Sequence, residues 1–553
     1  MFIKVLSAGA QDAKDTVFCL AQDKWNDFSF ETQYQLYLSS THSDDGEPMY
    51  IGAVKVLKKG QTKSDTCQLQ IGELLQLDNN FCSLGQSLDY YQRLAGLDKA
   101  LKNKLLLFLR DVVVNPEYID EFKDEDGWKD SLLRFVSLKD DLFTIAPILL
   151  SGDFTALPSL DLQFEFKTSG LINPVSFKFD SPTYGMLDEY SLPGRIAVII
   201  GRNGSGKSTL LSKISRIAFA STEDRKNGAL VQVGEFTPTG LGFPKIINIS
   251  YSAFDSFHVP GIYIHEKQQI AKDIRSGNGR YIYCGIRDIS SELELSIPEL
   301  IADSRGLLSP ELLLSDRQSY TILKSIDILA TEFKNTYKKI LQEEANNLLD
   351  ATLEILRNEP SFVNLKEDFD SFDSDQEIVE YFLRQSTGHK FVLHSLMNII
   401  AHTEPRSLVL FDEPETHLHP PLLAVLMGAI RNILNEKNAF AIVATHSPVV
   451  LQETLIDNVY IVQREGEKTK ILSPEIQTYG ENIGTITSHI FGLSSEITSF
   501  HSELDKIIEY YSTSWHSKDT YDKILNNLEQ LFDNELSMQA RAYIQSQLLV
   551  SKE

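Results

Sequence analysis

Cysteine is scarce in this sequence, and its spacing carries no metal or redox motif. The four cysteines among 553 residues are Cys19, Cys67, Cys82 and Cys284, and no two of them form a C-x-x-C pair. This pattern excludes a disulfide framework and a cysteine zinc site. It predicts reduced thiols in a cytoplasmic protein.

Long apolar runs, an apolar leader and an excess of basic residues are also lacking. The apolar segment at residues 105–114 is interrupted by Arg110, and no segment approaches the ~18 residues of a membrane-spanning helix. No apolar segment of signal-peptide length follows Lys4. The net charge of −25 argues against a uniformly basic surface, but it leaves room for a local basic groove that binds nucleic acid.

The length of the chain predicts more than one globular domain. Residues 1–150 contain strand-like segments at 28–38 and 50–57 and then helical spacing, so we expect an α+β region with a structural or partner-binding role. Residues 151–500 carry the motifs described next. Residues 501–553 have helical spacing and predict a tail that either binds a partner or packs on the preceding domain.

The strongest motif is a phosphate-binding loop that fits G-x-x-x-x-G-K-S/T. An apolar strand-like segment precedes it and a helix-like segment follows it, and this context argues against a chance glycine-rich turn. The glycines let backbone N–H groups face phosphate oxygens, Lys207 reaches the β- and γ-phosphates, and the Ser208 hydroxyl binds Mg²⁺. The candidate nucleotide-binding residues are Gly201, Asn203, Gly204, Ser205, Gly206, Lys207, Ser208 and Thr209.

Two carboxylates end a second apolar strand-like segment, residues 407–413. Asp412 is placed to hold Mg²⁺ opposite Ser208, and Glu413 is placed to polarise the attacking water. A pair of acids alone is weak evidence. At the end of an apolar run downstream of a phosphate loop, the pair predicts the second half of an ATP site.

Two further candidate site residues each have two possible interpretations. His446 follows the apolar segment 440–445, 33 residues after Glu413, and is either a γ-phosphate sensor or a core histidine. Ser386 opens a helix whose N-terminal end is an anion site, or it is a plain helix cap. His417 and His419 are alternate residues in a loop before two prolines, and this placement favours packing and backbone contacts over a metal site.

In this order and spacing, the motifs resemble the ABC-type ATPase head shared by the SMC, RecF and OLD groups. The run Asp-Glu-Pro-Glu-Thr-His-Leu-His-Pro, followed by Ala-Thr-His-Ser-Pro, is typical of the OLD-like AAA_15 and AAA_21 branch. The resemblance implies an α/β P-loop NTPase fold of ABC/SMC-head type, with a helical insertion at about residues 298–385. It implies ATP and Mg²⁺ as cofactors. It also implies a head-to-head dimer or a higher oligomer, in which Ser386 and Gly388 of one copy contact the γ-phosphate bound at Lys207 of the other.

The sequence departs from parts of this pattern. The signature reads Ser-Thr-Gly-His where transporter heads carry Leu-Ser-Gly-Gly-Gln, and no Q-loop glutamine is evident, so we expect its counterpart near Asp255. The insertion is too short for the coiled coil of SMC proteins. Residues 470–553 are too few for the TOPRIM domain of OLD nucleases and lack its D-x-D element, which predicts that the chain has no nuclease chemistry of its own.

The size, the missing TOPRIM domain and the segments at Asp27-Phe28 and 51–55 look most like the PtuA family. Its members are ATPase subunits of Septu anti-phage systems and of related retron effectors. The resemblance implies that ATP regulates a separate HNH nuclease, PtuB, with a retron reverse transcriptase and its msDNA as further partners. The lack of long apolar runs separately predicts that no membrane is involved. The alternatives are a RecF/OLD-like DNA-repair ATPase that acts directly on DNA, and a nucleotide-gated scaffold with negligible turnover.

Overall fold

The structure is a computed structural model. The chain forms two compact units, Met1–Gly480 and Glu481–Glu553. The predicted boundaries after residues 150 and 500 stay predictions. The Asp27-Phe28 motif lies outside the described residues. The structure describes residues 2–23, 29–74, 76–157, 161–179, 193–303, 305–343, 345–491, 499–513, 521–533 and 535–550.

The N-terminal region is a mixed sheet followed by helices, as predicted. Its strands are β1 (Ile3–Leu6), β2 (Phe18–Gln22), β3 (Gln33–Leu38), β4 (Met49–Lys58), β5 (Gly72–Leu74) and β6 (Phe81–Gly85). Its helices are α1 (Leu88–Ala95), α2 (Lys99–Phe108), α3 (Glu117–Phe122) and α4 (Asp141–Ser151). Among the described residues the strand order is β5-β1-β2-β3-β4-β6, and β1–β2 is its parallel pair. Aromatic side chains such as Tyr34, Tyr90 and Tyr91 fill the core between sheet and helices.

A small antiparallel sheet leads into the phosphate loop. It consists of β7 (Leu162–Lys167), β8 (Val175–Phe179) and β10 (Glu235–Thr237), in the order β10-β7-β8 within the described part of the chain. The alternation seen in the sequence is the reason for this packing, because Phe164 and Phe166 of β7 are buried while Glu165 between them is exposed. The prediction of antiparallel strands in this segment is confirmed.

The central sheet of the head has seven strands in the described residues. They are β9 (Ile196–Ile200), β11 (Ile246–Ser250), β12 (Tyr281–Gly285), β13 (Leu408–Asp412), β14 (Phe440–Thr445), β15 (Val459–Glu465) and β16 (Lys468–Leu472). Their order is β12-β11-β13-β14-β9-β15-β16, parallel except for the β15–β16 pair. In this register Ser250 neighbours Asp412 and Asp412 neighbours Ala444. The carboxyl ends of the parallel strands therefore meet at one edge, where α/β sheets bind their ligands.

Helices cover this sheet and form the insertion before β13. The helices that accompany the first strands are α5 (Lys207–Phe219), α6 (Gly228–Val233), α7 (Ile264–Ser276), α8 (Ile289–Ser296) and α9 (Pro310–Leu314). The insertion and the later helices are α10 (Ile326–Gln342), α11 (Asn346–Leu356), α12 (Leu365–Asp370), α13 (Asp375–Arg384), α14 (Thr387–His402), α15 (Pro420–Glu436) and α16 (Pro448–Gln452). Helix α10 buries Phe333, Tyr337 and Ile340 on one face and packs on α13 and α14.

Buried ion pairs join the N-terminal region to the head within the first unit. Arg93 of α1 lies 3.0 Å from Asp273 of α7, and Arg280, just before β12, lies 2.9 Å from Asp89 of α1. A third pair links Arg406 to Asp141 at 2.8 Å. These side chains are largely removed from water, so each pair depends on both of its partners.

The second unit is helical, as the spacing of the tail predicts. It contains α17 (Ile483–Phe491), α18 (Ser499–Thr513), α19 (Tyr521–Gln530) and α20 (Met538–Val550). Leu504, Ile508 and Ile544 form its small apolar core. Neither unit has, in its described part, a helix that is both long and apolar enough to span a bilayer.

Candidate nucleotide-binding site

The phosphate loop lies between β9 and α5, where the motif predicts it. Gly204 and Gly206 have φ angles of +79° and +99°, a left-handed conformation that side chains with a Cβ rarely adopt. Gly201 is needed for a different reason. A Cβ on Gly201 would lie 2.4 Å from the carbonyl oxygen of Val462 on β15. The glycines of the motif therefore set the shape of the loop and let it approach the neighbouring strand.

The polar side chains of the loop fit a phosphate ligand. The Lys207 ammonium donates hydrogen bonds to the carbonyl oxygens of Gly201 at 3.0 Å and Arg202 at 3.3 Å. Burial lowers the pKa of Lys207, and the nearby Glu413 and Asp412 oppose that shift. The buried Ser205 hydroxyl has no hydrogen-bond partner within the described part of the chain. A buried cation and an orphaned hydroxyl beside glycine N–H groups suit phosphate oxygens.

The two ends of the loop differ in exposure. Asn203 is exposed at the apex, and Thr209 is half-buried in the first turn of α5. Their predicted contacts with the nucleotide stay predictions.

The predicted Mg²⁺ ligands lie side by side. The Ser208 hydroxyl donates a hydrogen bond of 3.0 Å to Oδ1 of Asp412. Burial raises the pKa of Asp412 to about 7; the Ser208 hydrogen bond lowers it, and Glu413 and Asp255 raise it further. An oxygen-only pair that includes a carboxylate beside a phosphate loop fits Mg²⁺. Mg²⁺ bound there would neutralise the Asp412 charge and the charge developing on the phosphate oxygens.

Glu413, Glu415 and His446 form a cluster at the end of β13 and β14. Glu413 has a φ of +50°, and its N–H donates to the carbonyl oxygen of Ala444 at 2.8 Å. Nδ1 of His446 lies 2.9 Å from Oε1 of Glu415 and 3.8 Å from Oε1 of Glu413. The alternative of a satisfied core histidine is wrong, because the His446 side chain is 45% exposed. The predicted catalytic roles of Glu413 and His446 stay predictions.

Glu415 has a positioning role that the sequence interpretation missed. The backbone N–H of His446 also donates to Oε1 of Glu415, at 2.6 Å, so the carboxylate fixes both the ring and the main chain. The hydrogen bond to Glu415 raises the pKa of His446. Burial alone would raise the pKa of Glu415, but its hydrogen bonds from His446 lower it. The motif offered the signal, a third acid two residues after Glu413.

Asp255 faces the same cleft as Ser208 and Asp412, the predicted Mg²⁺ ligands, in the region where a Q-loop counterpart was expected. Ser208, Asp255 and Asp412 all line this cleft. Asp255 is buried and pairs with Arg287 at 3.1 Å, and Arg287 also pairs with Glu292 at 2.7 Å. Arg287 is absent from the sequence interpretation because no motif marks it. Arg287, itself fixed by Glu292, therefore holds the Asp255 side chain in place.

The signature residues open α14 on the surface. Ser386 is exposed and is the N-cap of the helix, with its hydroxyl accepting a hydrogen bond of 3.3 Å from the N–H of His389. A Cβ on Gly388 would lie 3.1 Å from the carbonyl oxygen of His417. The cap interpretation is therefore confirmed for Ser386, whereas its contact with a γ-phosphate in a second copy stays a prediction. His419 caps α15 by accepting from the N–H of Leu422.

A parallel sheet with a phosphate loop, a Ser–Asp pair and a following glutamate at its carboxyl edge defines a P-loop ATPase domain of ABC/SMC-head type. A family model described as "AAA domain, putative AbiEii toxin, Type IV TA system" matches residues 196–452, which contain the phosphate loop, the Ser–Asp pair, the glutamate and strands β9 and β11–β14. The chain belongs to the family of protein ea59 of Escherichia phage lambda. The two are 31% identical over 539 residues, which cover 96% of this chain and 94% of ea59.

Solved structures of ATPase heads show low overall similarity to this chain. An ATP-binding cassette of an ABC transporter in its ADP conformation is 13% identical, with a TM-score of 0.27, and the match covers 60% of this chain and 94% of the cassette. An SMC head bound to the C-terminal winged-helix domain of ScpA is 15% identical, with a TM-score of 0.25, covering 57% of this chain and 97% of the head. The strand order and the phosphate loop, rather than these overall similarities, define the fold.

Proposed function

We propose that two copies of this chain close around ATP and Mg²⁺ and that ATP hydrolysis switches a separate HNH nuclease in a bacterial anti-phage defence complex. The observation that supports the ATPase part is the grouping of Lys207, Ser208, Asp412 and Glu413 at one edge of the sheet. The observation that supports dimerisation is the exposed start of α14, where Ser386 bonds only within its own helix among the described contacts.

Each residue has a defined task in this proposal. Lys207 and the loop N–H groups bind and orient the β- and γ-phosphates, and Ser208 with Asp412 holds the metal. Glu413 accepts a proton from the attacking water. His446, oriented by Glu415, donates a hydrogen bond to the γ-phosphate oxygen. Ser386 and Gly388 of the second copy complete the site, which couples nucleotide state to dimerisation.

The partner assignment rests on the PtuA resemblance of the motifs. The PtuA resemblance assigns cutting to a separate HNH protein, in line with the expectation that residues 470–553 carry no nuclease chemistry. ATP-driven closure would change the surface that this nuclease contacts, and a reverse transcriptase with its msDNA is the further proposed partner. A tagged pull-down from the native host tests this part. Recovery of an HNH protein supports it, whereas bare genomic DNA without a nuclease favours the DNA-repair alternative.

Two substitutions test the ATPase part. Lys207→Ala should lose nucleotide binding. Glu413→Gln should keep ATP binding, slow hydrolysis by about 100-fold or more, and accumulate a dimer in ATP, because the proton acceptor is lost while the charge cluster is relieved. Hydrolysis is measured by phosphate release and the dimer by light scattering after size exclusion. The exposed Glu467→Gln is the matched control. Hydrolysis by Glu413→Gln at the wild-type rate would show that the catalytic assignment is wrong.

A further inference from the structure

A second cavity lies behind the nucleotide site, among α5, α7, α8 and α9. Its volume is about 310 Å³, within the range of about 300–1,000 Å³ typical of small-molecule sites. Arg216, nine residues after Lys207 on the same helix, lines it together with Lys267 of α7. His258 and Val259 line both this cavity and the cleft of the Mg²⁺ pair. The cavity and the cleft are therefore adjacent and share His258 and Val259 as lining residues.

The lining of this cavity divides into an apolar wall and basic groups. The wall contains Val259, Leu293, Leu300, Leu308, Leu312 and Leu313. The basic side chains are Arg216, His258, Lys267 and Arg317, Tyr320 adds a phenol, and no carboxylate belongs to the lining among the described residues. Burial lowers the pKa of His258 to about 3, so Arg216, Lys267 and Arg317 carry the charge. In a chain with 77 acidic and 52 basic residues, a lining whose charges are all positive departs from the average composition.

The two buried cations of the cavity have no carboxylate in direct contact among the described residues. The Arg216 guanidinium donates to the carbonyl oxygens of Leu313 and Ser315, and the Lys267 ammonium donates to that of Val259 at 2.7 Å. Asp316 and Glu266 are the acids that act on these cations from a distance. Asp316 lies 3.7 Å from Lys213, and the Glu266 carboxylate accepts from the N–H groups of Ile262 and Tyr263.

Burying two neighbouring cations without a direct counter-ion is costly. The pKa of Lys267 records this cost. Burial, with a further contribution from the charge of Arg216, lowers it to about 7. Burial lowers the pKa of Arg216 as well. An anion placed between the ammonium and guanidinium groups would relieve both penalties.

We propose that this cavity binds a small amphipathic acid, with its carboxylate at Arg216 and Lys267 and its aliphatic body against the leucine wall. An inorganic anion would pair with the cations but make no contact with the leucine wall. An uncharged alcohol would pack against the leucine wall but leave the cations without a counter-ion. The exposed Arg317 lies at the solvent side of the lining, where it would also attract an approaching carboxylate.

Octanoate is the probe for this site, with 1-octanol and inorganic phosphate as the two half-ligands. Binding to the full, nucleotide-free chain is measured by isothermal titration calorimetry at pH 6.5, so the outcome is independent of ATP hydrolysis. We expect octanoate to bind about tenfold or more tightly than either half-ligand, because a hydrogen bond to a charged group contributes a factor of this size. Equal binding of octanoate and 1-octanol, or no binding of octanoate, would overturn the proposal.

Lys267→Met identifies the site within the chain. The substitution keeps the apolar stem and removes the buried charge, so we expect about a tenfold or greater loss of octanoate affinity with a melting temperature at least as high as that of the wild type. Lys272→Met on the same helix is the control, because Lys272 is partly exposed and pairs with Asp45 at 2.8 Å. Unchanged octanoate affinity in Lys267→Met would contradict the assignment.

Discussion

Asp412 is kept in an environment that opposes its ionisation. Its carboxyl group is buried beside Glu413 and Asp255, and its pKa is raised to about 7 from an ordinary value of 3.8. Because the folded state holds the proton more tightly than the unfolded chain, stability falls as the pH rises from about 4 to about 7. The buried Asp412 therefore lowers folding stability at neutral pH, and a metal ion bound to it would offset that cost.

Asp412→Asn should therefore stabilise the metal-free head. The amide can still accept the hydrogen bond from Ser208, and it carries no charge to bury. We expect a gain of the order of 2 kcal/mol at pH 8, shrinking toward pH 4, together with loss of Mg²⁺-dependent hydrolysis. Thermal unfolding in EDTA across this pH range measures the gain. The exposed Asp457→Asn should change stability by less than about 0.5 kcal/mol. A less stable Asp412→Asn at pH 8 would contradict this expectation.

At the residue scale, the motifs predicted the positions of those site residues that a short local segment fixes. Lys207, Ser208 and Asp412 follow from spacing and strand context alone, because a phosphate loop and the end of an apolar strand dictate their positions. Glu415 and Arg287 do not. Their partners are His446, which lies 31 residues away along the chain, and the buried Asp255. The sequence does not show these contacts, so it gives no reason to single out Glu415 or Arg287 from the other charged residues.

At the scale of the element, the phosphate loop is shaped by its neighbouring strand as well as by its own glycines. The β15 strand pairs with β9 as far as Ile461 and Ile200, and the next residues, Val462 and Gly201, then come into close approach. The position of Gly201 in the motif is therefore also a packing requirement. Alternating and continuous apolar runs predicted the strands, whereas the order β14-β9-β15 depends on long-range pairing that periodicity does not encode.

Gly201→Ala should damage the fold and the site together. The added methyl group would overlap the carbonyl oxygen of Val462, so we expect a loss of about 1–3 kcal/mol in the free energy of unfolding and weaker binding of a fluorescent ATP analogue. Urea unfolding measures the first effect and fluorescence titration the second.

Gly228→Ala is the matched control for this prediction. No atom lies within 4 Å of a Cβ built at Gly228, and the residue is in the first turn of α6. The substitution should be neutral or slightly stabilising, since alanine narrows the unfolded ensemble. If Gly201→Ala unfolds at the same urea concentration as the wild type, the close approach to β15 is not a constraint.

At the scale of the molecule, the N-terminal region and the head form one compact unit that the sequence interpretation treated as two regions. The pairs Arg93–Asp273 and Arg280–Asp89 join residues that are 180 and 191 positions apart. Composition predicted an α+β region at the N-terminus, but nothing local marks which arginine faces which aspartate. Both arginines are buried, so loss of a single partner leaves an uncompensated charge.

Asp273→Asn should destabilise the whole first unit. Arg93 donates from Nε and Nη2 to Asp273, and we expect a loss of about 3–5 kcal/mol when that charge is left buried without its partner. Arg93→Met combined with Asp273→Leu should recover most of the loss. Asp120→Asn, which breaks the exposed pair with Lys123, should cost less than about 1 kcal/mol. Calorimetry of the full chain decides, and equal costs for Asp273→Asn and Asp120→Asn would refute the prediction.

These ion pairs have a mechanical consequence for the proposed switch. Helix α1 is joined by buried ion pairs to α7 and to the residue just before β12, and β12 pairs through β11 with β13, the strand that ends at Asp412. If the head rotates when the proposed dimer closes, these pairs would make the N-terminal sheet rotate with it. A partner bound to the N-terminal sheet would then be displaced in each cycle of ATP binding and hydrolysis.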